Sequence, residues 1–228
     1  MPFTPSATFY LSTPRLYISH LLPVTHPHHS EFICTLYNSE LFVSTCGKTS
    51  VNSPEKAKSH IEGWIACNFE KNGFGCYLIS LRDRTSIVDS KGDKALQSDE
   101  TELKPGDVPI GITTLMRGNY TVPDIGFALL PEYTGKGYAT EAGKRVIQFA
   151  AHDPVEQGGL GLEGVFGFTD PTNMGSRKIC ERLGLVDYGV YPLEAFGGKE
   201  SAVYCSQGMV VDGEGLKKFG IMGDKIEQ

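Results

Sequence analysis

The segment Leu129-Leu130-Pro131-Glu132-Tyr133-Thr134-Gly135-Lys136-Gly137-Tyr138-Ala139-Thr140-Glu141-Ala142 constrains this chain more than any other. A strand-like run from Asp124 to Leu130 ends there, a loop with two glycines and a lysine follows, and a helix begins near Thr140. Small or side-chain-free residues at Gly135, Gly137 and Ala139 let main-chain N–H groups approach a ligand closely. Those amides, with the helix dipole behind them, form a site for phosphate oxygens. Two other phosphate patterns fail. A Walker loop needs a glycine where Leu130 stands, and here Gly137 rather than Ser or Thr follows the lysine. Gly159-Leu160-Gly161-Leu162-Glu163-Gly164 matches a dinucleotide fingerprint literally, but it follows a helix and leads into a strand-like run, the reverse of the required context. That run reads as a flexible connection.

With 228 residues, 40% apolar and 21% charged, the chain can build one good-sized core. The net charge of −6 and the lack of a basic block argue against a nucleic-acid surface and suit a neutral or cationic substrate. No apolar run approaches the ~20 residues of a spanning helix. The first cation is Arg15, so Met1 to Pro5 has no basic leader region and no secretory signal is expected. Cys34, Cys46, Cys67, Cys76, Cys180 and Cys205 are scattered and never form C-x-x-C, which fits reduced thiols in a cytoplasm. The expectation is a soluble single domain over 8–210, with a tail over 211–228 lying on the surface. The oligomeric state, monomer or homodimer, stays open.

Arg15 to Ile18 reads as a first strand and His28 to Asn38 as a short helix. Ser53-Pro54-Glu55 supplies an N-cap, a proline at the first helical position and an acid in the first turn. Ala57, Ile61, Trp64, Ile65 and Phe69 then follow at the spacing of one buried helical face, so Trp64 is expected in the core. Asn72-Gly73 ends that helix. Strands are predicted over 74–81, 110–116, 124–130, 165–169, 186–193 and 201–209, and helices over 140–152 and 173–183. Positions 83–108 carry seven acids and four bases and no aromatic residue, the composition of a mobile hairpin insertion. Alternating strands and helices around an antiparallel hairpin give an α+β fold built on one mixed sheet. His26-x-His28-His29 reads as a solvated loop rather than a metal tract, and Cys180 as a packed, inert thiol.

Three separated motifs resemble one family. The loop Gly135-Lys136-Gly137-Tyr138-Ala139-Thr140-Glu141-Ala142 is similar to the pyrophosphate loop of the GNAT acyl-CoA N-acyltransferases, in particular the RimJ/RimL-like branch. Asp124 to Glu132 resembles that branch's preceding strand. Asp170-Pro171-Thr172-Asn173-Met174-Gly175-Ser176 through Arg182-Leu183-Gly184 resembles its Asn-x-x-Ser helix, and Thr13-Pro14-Arg15-Leu16 its opening strand. The likeness covers about 13–190, in order. Three departures stand out: Thr134 at the loop's first position, Cys180 where many members carry a tyrosine acid, and the insertion at 83–108.

The resemblance implies a central, mostly antiparallel mixed sheet of about seven strands, splayed between its two central strands and flanked by helices. It also implies acetyl transfer from acetyl-CoA to a primary amine, a protein N-terminus or a small molecule, in one ternary complex and without a metal. Main-chain amides of Gly135, Lys136, Gly137, Tyr138, Ala139 and Thr140 would hold the diphosphate. Ala128, Leu129 and Leu130 would pair with the pantetheine arm as an added strand and polarise the thioester carbonyl. Lys136 either pairs with the phosphates or points to water. Asp124 is the first candidate for the carboxylate that accepts the amine proton, with Glu132, Glu194 and Glu200 as alternatives. Its competing reading is a hairpin-end carboxylate facing solvent. Ser176 would assist the departing thiolate or hold the pantetheine with Asn173, whose other reading is plain helix capping. The missing tyrosine keeps open a catalytically weak acyl-CoA-binding module that acts as a sensor or interaction protein.

Overall fold

A computed structural model describes residues 3–82, 108–118, 120–209 and 213–221. Its framework is one eight-stranded sheet: β1 (Tyr10–Ser12), β2 (Leu16–His20), β3 (Cys76–Leu81), β4 (Val108–Met116), β5 (Asp124–Leu129), β6 (Phe166–Thr169), β7 (Val186–Leu193) and β8 (Lys199–Cys205). The spatial order is β1-β2-β3-β4-β5-β6-β8-β7. Every neighbour pair is antiparallel except β5 and β6, which run parallel and share only the register pair Asp124 with Phe166. The sheet is therefore mixed, mostly antiparallel, and opens between its central strands. The predicted insertion lies outside the described residues, apart from Val108, which starts β4.

The helices are α1 (His28–Tyr37), α2 (Glu40–Cys46), α3 (Pro54–His60), α4 (Ala66–Asn72), α5 (Tyr138–Ala151), α6 (Met174–Arg182) and α7 (Gly213–Lys218). Ser53 caps α3 by accepting from the Lys56 N–H, with Pro54 in the first turn, and Gly73 closes α4 at φ +78°. Between them Ile61–Ile65 forms a π turn. Its wider winding keeps Ile61 and Ile65 buried but rotates Trp64 off the apolar face, where its ring stacks on His60 at 5.1 Å. Trp64 is 51% exposed, which corrects its expected place in the core.

Two apolar clusters hold the sheet. The larger joins β2, β3 and β4 to α1, α3, α4 and α5 through Ile18, Ile33, Leu36, Ile79, Leu115 and Val146, all fully buried. The smaller lies at the β6–β8–β7 end, where Leu216, Phe219 and Ile221 of the C-terminal segment pack against Phe166, Val203 and Leu193. Thr121 N–H donates to the Phe219 carbonyl at 3.1 Å, and Phe219 meets Phe166 edge-on at 5.4 Å. That segment is core and not a surface tail, a correction for 213–221. The glycine run at 159–164 is also packed, not loose. Leu160 and Leu162 donate to the Phe149 and Ala150 carbonyls at 3.0 and 2.8 Å, and a Cβ at Gly159 would meet the Asp153 carbonyl oxygen at 2.1 Å.

Candidate active site

The cleft opens where β5 and β6 part. Beyond Asp124, the edge of β5 that faces β6 has no strand partner, so alternate N–H and C=O groups of Ile125 to Leu129 are left for a ligand. The cleft has a volume of about 590 Å³. One wall is β5 and the loop running into α5, the other is β6 and α6, and α2 closes one side with Leu41, Phe42, Thr45 and Cys46.

The glycine loop has the backbone that its sequence demands. Gly135 and Gly137 sit at φ +71° and +82°, left-handed values that side chains with a Cβ rarely adopt. Gly137 is the residue before α5, and no side chain caps the helix. Its first-turn amides consequently lack intrahelical acceptors. Gly135, Gly137, Tyr138, Ala139 and Thr140 all line the cleft, so this uncapped, dipole-positive end is presented to whatever fills it.

The loop is braced from behind by a strut that sequence reasoning missed. Thr13 Oγ1 and the Arg15 N–H donate to Glu141 Oε1 at 2.6 and 3.0 Å, and Arg15 Nε donates to Oε2 at 2.6 Å. Arg15 also donates to the Lys136 carbonyl at 3.1 Å and lies 4.5 Å over the Tyr138 ring. Burial alone would raise the Glu141 carboxyl, but the donors from Thr13 and Arg15 outweigh it and hold the group below its ordinary value. Thr13, Arg15 and Glu141 were all visible within the resembling motifs. Their mutual contact spans more than 120 residues and left no local signal.

Of the predicted coenzyme residues, Ala128, Leu129, Gly135, Gly137, Tyr138, Ala139, Thr140, Asn173 and Ser176 line the cleft, whereas Leu130 and Lys136 do not. Leu130 N–H is committed to the Ile110 carbonyl at 2.9 Å. The Lys136 ammonium sits 5.6 Å from the Tyr133 ring centre, outside the cleft lining. Asn173 is the N-cap of α6: its side-chain oxygen accepts from the Ser176 N–H at 3.0 Å. The capping reading holds for that oxygen, and its amide NH₂ remains available. Cys180 lines the cleft as a buried residue against Gly167, and burial pushes its thiol up to about 11, so it stays protonated near neutrality.

Asp124 lies at the vertex where β5 and β6 still pair, next to the cleft-lining Ile125 but not itself in the lining. It accepts a short hydrogen bond from Tyr120 Oη, and Tyr120 packs edge-on against Phe168, which does line the cleft. Burial pushes the Asp124 carboxyl up to about 6, and the Tyr120 hydrogen bond restrains that rise. Asp124 is therefore not a solvent-facing hairpin end. Glu132, Glu194 and Glu200 are exposed and absent from the lining. Tyr120 itself was not anticipated.

The histidine tract is also settled differently from the sequence reading. His29 is buried, its Nδ1 accepts from the Leu22 N–H at 2.9 Å, and its ring stacks on His26. Among the described residues no group of three or more His, Cys, Asp or Glu could hold a metal ion, and no helix is long and apolar enough to cross a membrane.

Comparison with known proteins agrees with this fold. The family model described as an acetyltransferase (GNAT) domain matches residues 20–186. Among solved structures, a ribosomal-protein-S5-alanine acetyltransferase from Vibrio fischeri superposes with a TM-score of 0.57 at 16% identity, covering 87% of this chain and 96% of that one. RimL, a ribosomal L7/L12 α-N-protein acetyltransferase in complex with coenzyme A, gives 0.59 at 12% identity, covering 87% and 97%. The microcin C7 self-immunity acetyltransferase MccE, in complex with acetyl-CoA and AMP, gives 0.58 at 15% identity, covering 85% and 93%. These structural likenesses concern the fold, and the family match spans well over half the sequence. The chain belongs to the GNAT acetyltransferase family.

Proposed function

We propose that this protein transfers an acetyl group from acetyl-CoA to a primary amine, a protein N-terminus or a small-molecule amine, by direct attack in a ternary complex. The observation that carries this reading is the cleft between β5 and β6 leading to the uncapped N-terminus of α5. A diphosphate fits backbone amides at Gly135 to Thr140, and a pantetheine arm, which carries amides of its own, fits the unpaired edge of β5 at Ala128 and Leu129. The structurally similar RimL and MccE are in complex with coenzyme A and with acetyl-CoA, respectively.

A neutral amine attacks the thioester carbonyl carbon, so a C–N bond forms and the C–S bond breaks. The amine proton passes to Asp124 through a water, because the carboxyl lies outside the lining, behind the cleft-lining Ile125. A carboxyl near 6 is ionised at neutral pH yet basic enough to take that proton. A main-chain N–H of β5 stabilises the tetrahedral oxyanion. Ser176, in the lining at the first turn of α6, donates toward the departing thiolate. Coenzyme thiol, with an ordinary pKa near ~8.5, needs only modest help to leave. Cys180, protonated and buried, stands where many relatives have a tyrosine and is assigned no step. The cysteines, none of them in a disulfide among the described residues, support a reducing compartment such as the cytoplasm.

The test is release of free thiol from acetyl-CoA in the presence of a panel of peptides with free N-termini and of small amines. Amine-dependent release with at least one acceptor class is expected. Tight acetyl-CoA binding with no release on any acceptor would reverse the catalytic reading in favour of a coenzyme-binding module.

A further inference from the structure

Lys178 and Arg182 occupy successive turns of α6, both exposed and both lining the cleft together with Thr134, Gly135 and Gly137 of the glycine loop. Neither forms an ion pair with a carboxylate among the described residues. The other cation of the lining, Lys199, is committed to Asp170 at 3.2 Å. Lys136, the loop's own cation, lies over Tyr133 and outside the lining. The side-chain positive charge that the cleft offers a ligand is therefore concentrated on α6. Like charges four residues apart on a helix repel mildly unless an anion lies between them.

We infer that Lys178 and Arg182 form a subsite for a phosphate monoester, the phosphate that coenzyme A carries on its adenosine ribose beyond the diphosphate. The inference rests on the coenzyme reading above and adds a determinant to it. A helix N-terminus offers roughly half a unit of positive charge. That suits the diphosphate but does not match a monoester of charge about −1.5 to −2 near neutral pH. The protein's net charge of −6 opposes a polyanion at long range, so a local pair of cations in the lining favours its binding. The guanidinium fork of Arg182 can engage two phosphate oxygens and the Lys178 ammonium supplies a point charge beside it.

Calorimetric titration of the full chain with coenzyme A and with 3′-dephospho-coenzyme A tests this. The wild type should bind coenzyme A about 10-fold or more tightly than the dephospho form, a ratio that narrows as salt is raised. In the double variant Lys178→Ala/Arg182→Ala the ratio should fall toward one while affinity for the dephospho form stays unchanged, which also reports that the variant is folded. Lys136→Ala should keep the wild-type ratio. Equal affinity of the wild type for both ligands, or a ratio retained in the double variant, would overturn the subsite and leave the coenzyme reading standing. Failure of the wild type to bind either ligand would overturn both.

Discussion

At Gly137 the chain is left-handed at φ +82°, and a side chain there would stand 3.5 Å from the Arg15 guanidinium. The left-handed conformation costs a residue with a Cβ about 1–2 kcal/mol, most when the Cβ is branched. Gly137→Val should therefore lower the melting temperature by a few degrees and weaken acetyl-CoA binding about tenfold, because relief of strain swings the loop amides away from the cleft. Isothermal titration beside a thermal melt separates the two effects. Asp124 carries the second prediction at this scale. Its carboxyl must be ionised to accept a proton, so kcat/KM should fall as pH drops through about 6. Asp124→Asn should abolish that acid limb and lower kcat by about 10²–10⁴-fold with acetyl-CoA affinity retained. A pH–rate profile of both proteins checks it. Gly135 and Gly137 could be read from sequence because a positive φ is a local demand that glycine alone meets cheaply. The course of Lys136 could not, since the ring that holds its ammonium and the Arg15 bond to its carbonyl depend on the folded loop.

Between elements, the decisive contact is the strut from the start of β2 to the first turn of α5. Thr13 and Arg15 give Glu141 three hydrogen bonds, and Arg15 reaches on to the Lys136 carbonyl. Arg15 and Glu141 touch the loop from outside the cleft, so they position the coenzyme's amide cradle without contacting the reacting atoms. Arg15→Ala and Glu141→Gln should each raise KM for acetyl-CoA several-fold with kcat little changed. The double variant should be no worse than the poorer single one, as expected for partners in one interaction. Initial-rate kinetics on the three proteins suffice. The elements themselves were largely visible in advance: α3 through Ser53-Pro54-Glu55, α5 through its apolar face, and the end of α6 through Gly184 at φ +84°. Missing were β1, only three residues long, and α2, which has no buried residue and so no apolar stripe to betray it. Trp64 was misplaced because a π turn shifts the helical phase after Ile61, which a count at constant 3.6-residue period does not show.

Over the whole molecule, the C-terminal segment completes the half of the sheet that carries β6, β7 and β8. Leu216 and Ile221 are fully buried and Phe219 nearly so, against strands that also form one wall of the cleft. Phe219→Ala should cost about 3–5 kcal/mol, as expected for a large buried ring, and chemical denaturation measures it directly. The α+β class and the mixed sheet were legible because strands and helices alternate around recognisable turns, whereas the opening of the sheet was implied only by the family resemblance. The docking of α7 was not, because a six-residue helix with three charged residues carries almost no periodic signal, and its burial is decided by Phe166 and Val203 far away in sequence. At this scale everything converges on the gap between β5 and β6 and the helix that faces it. A crystal structure of the protein with acetyl-CoA reports on that gap without intermediaries. The diphosphate should lie against the main-chain nitrogens of Gly135 to Thr140, with the thioester directed toward the vertex at Asp124. A coenzyme bound elsewhere, with those nitrogens facing solvent, would contradict the assignment.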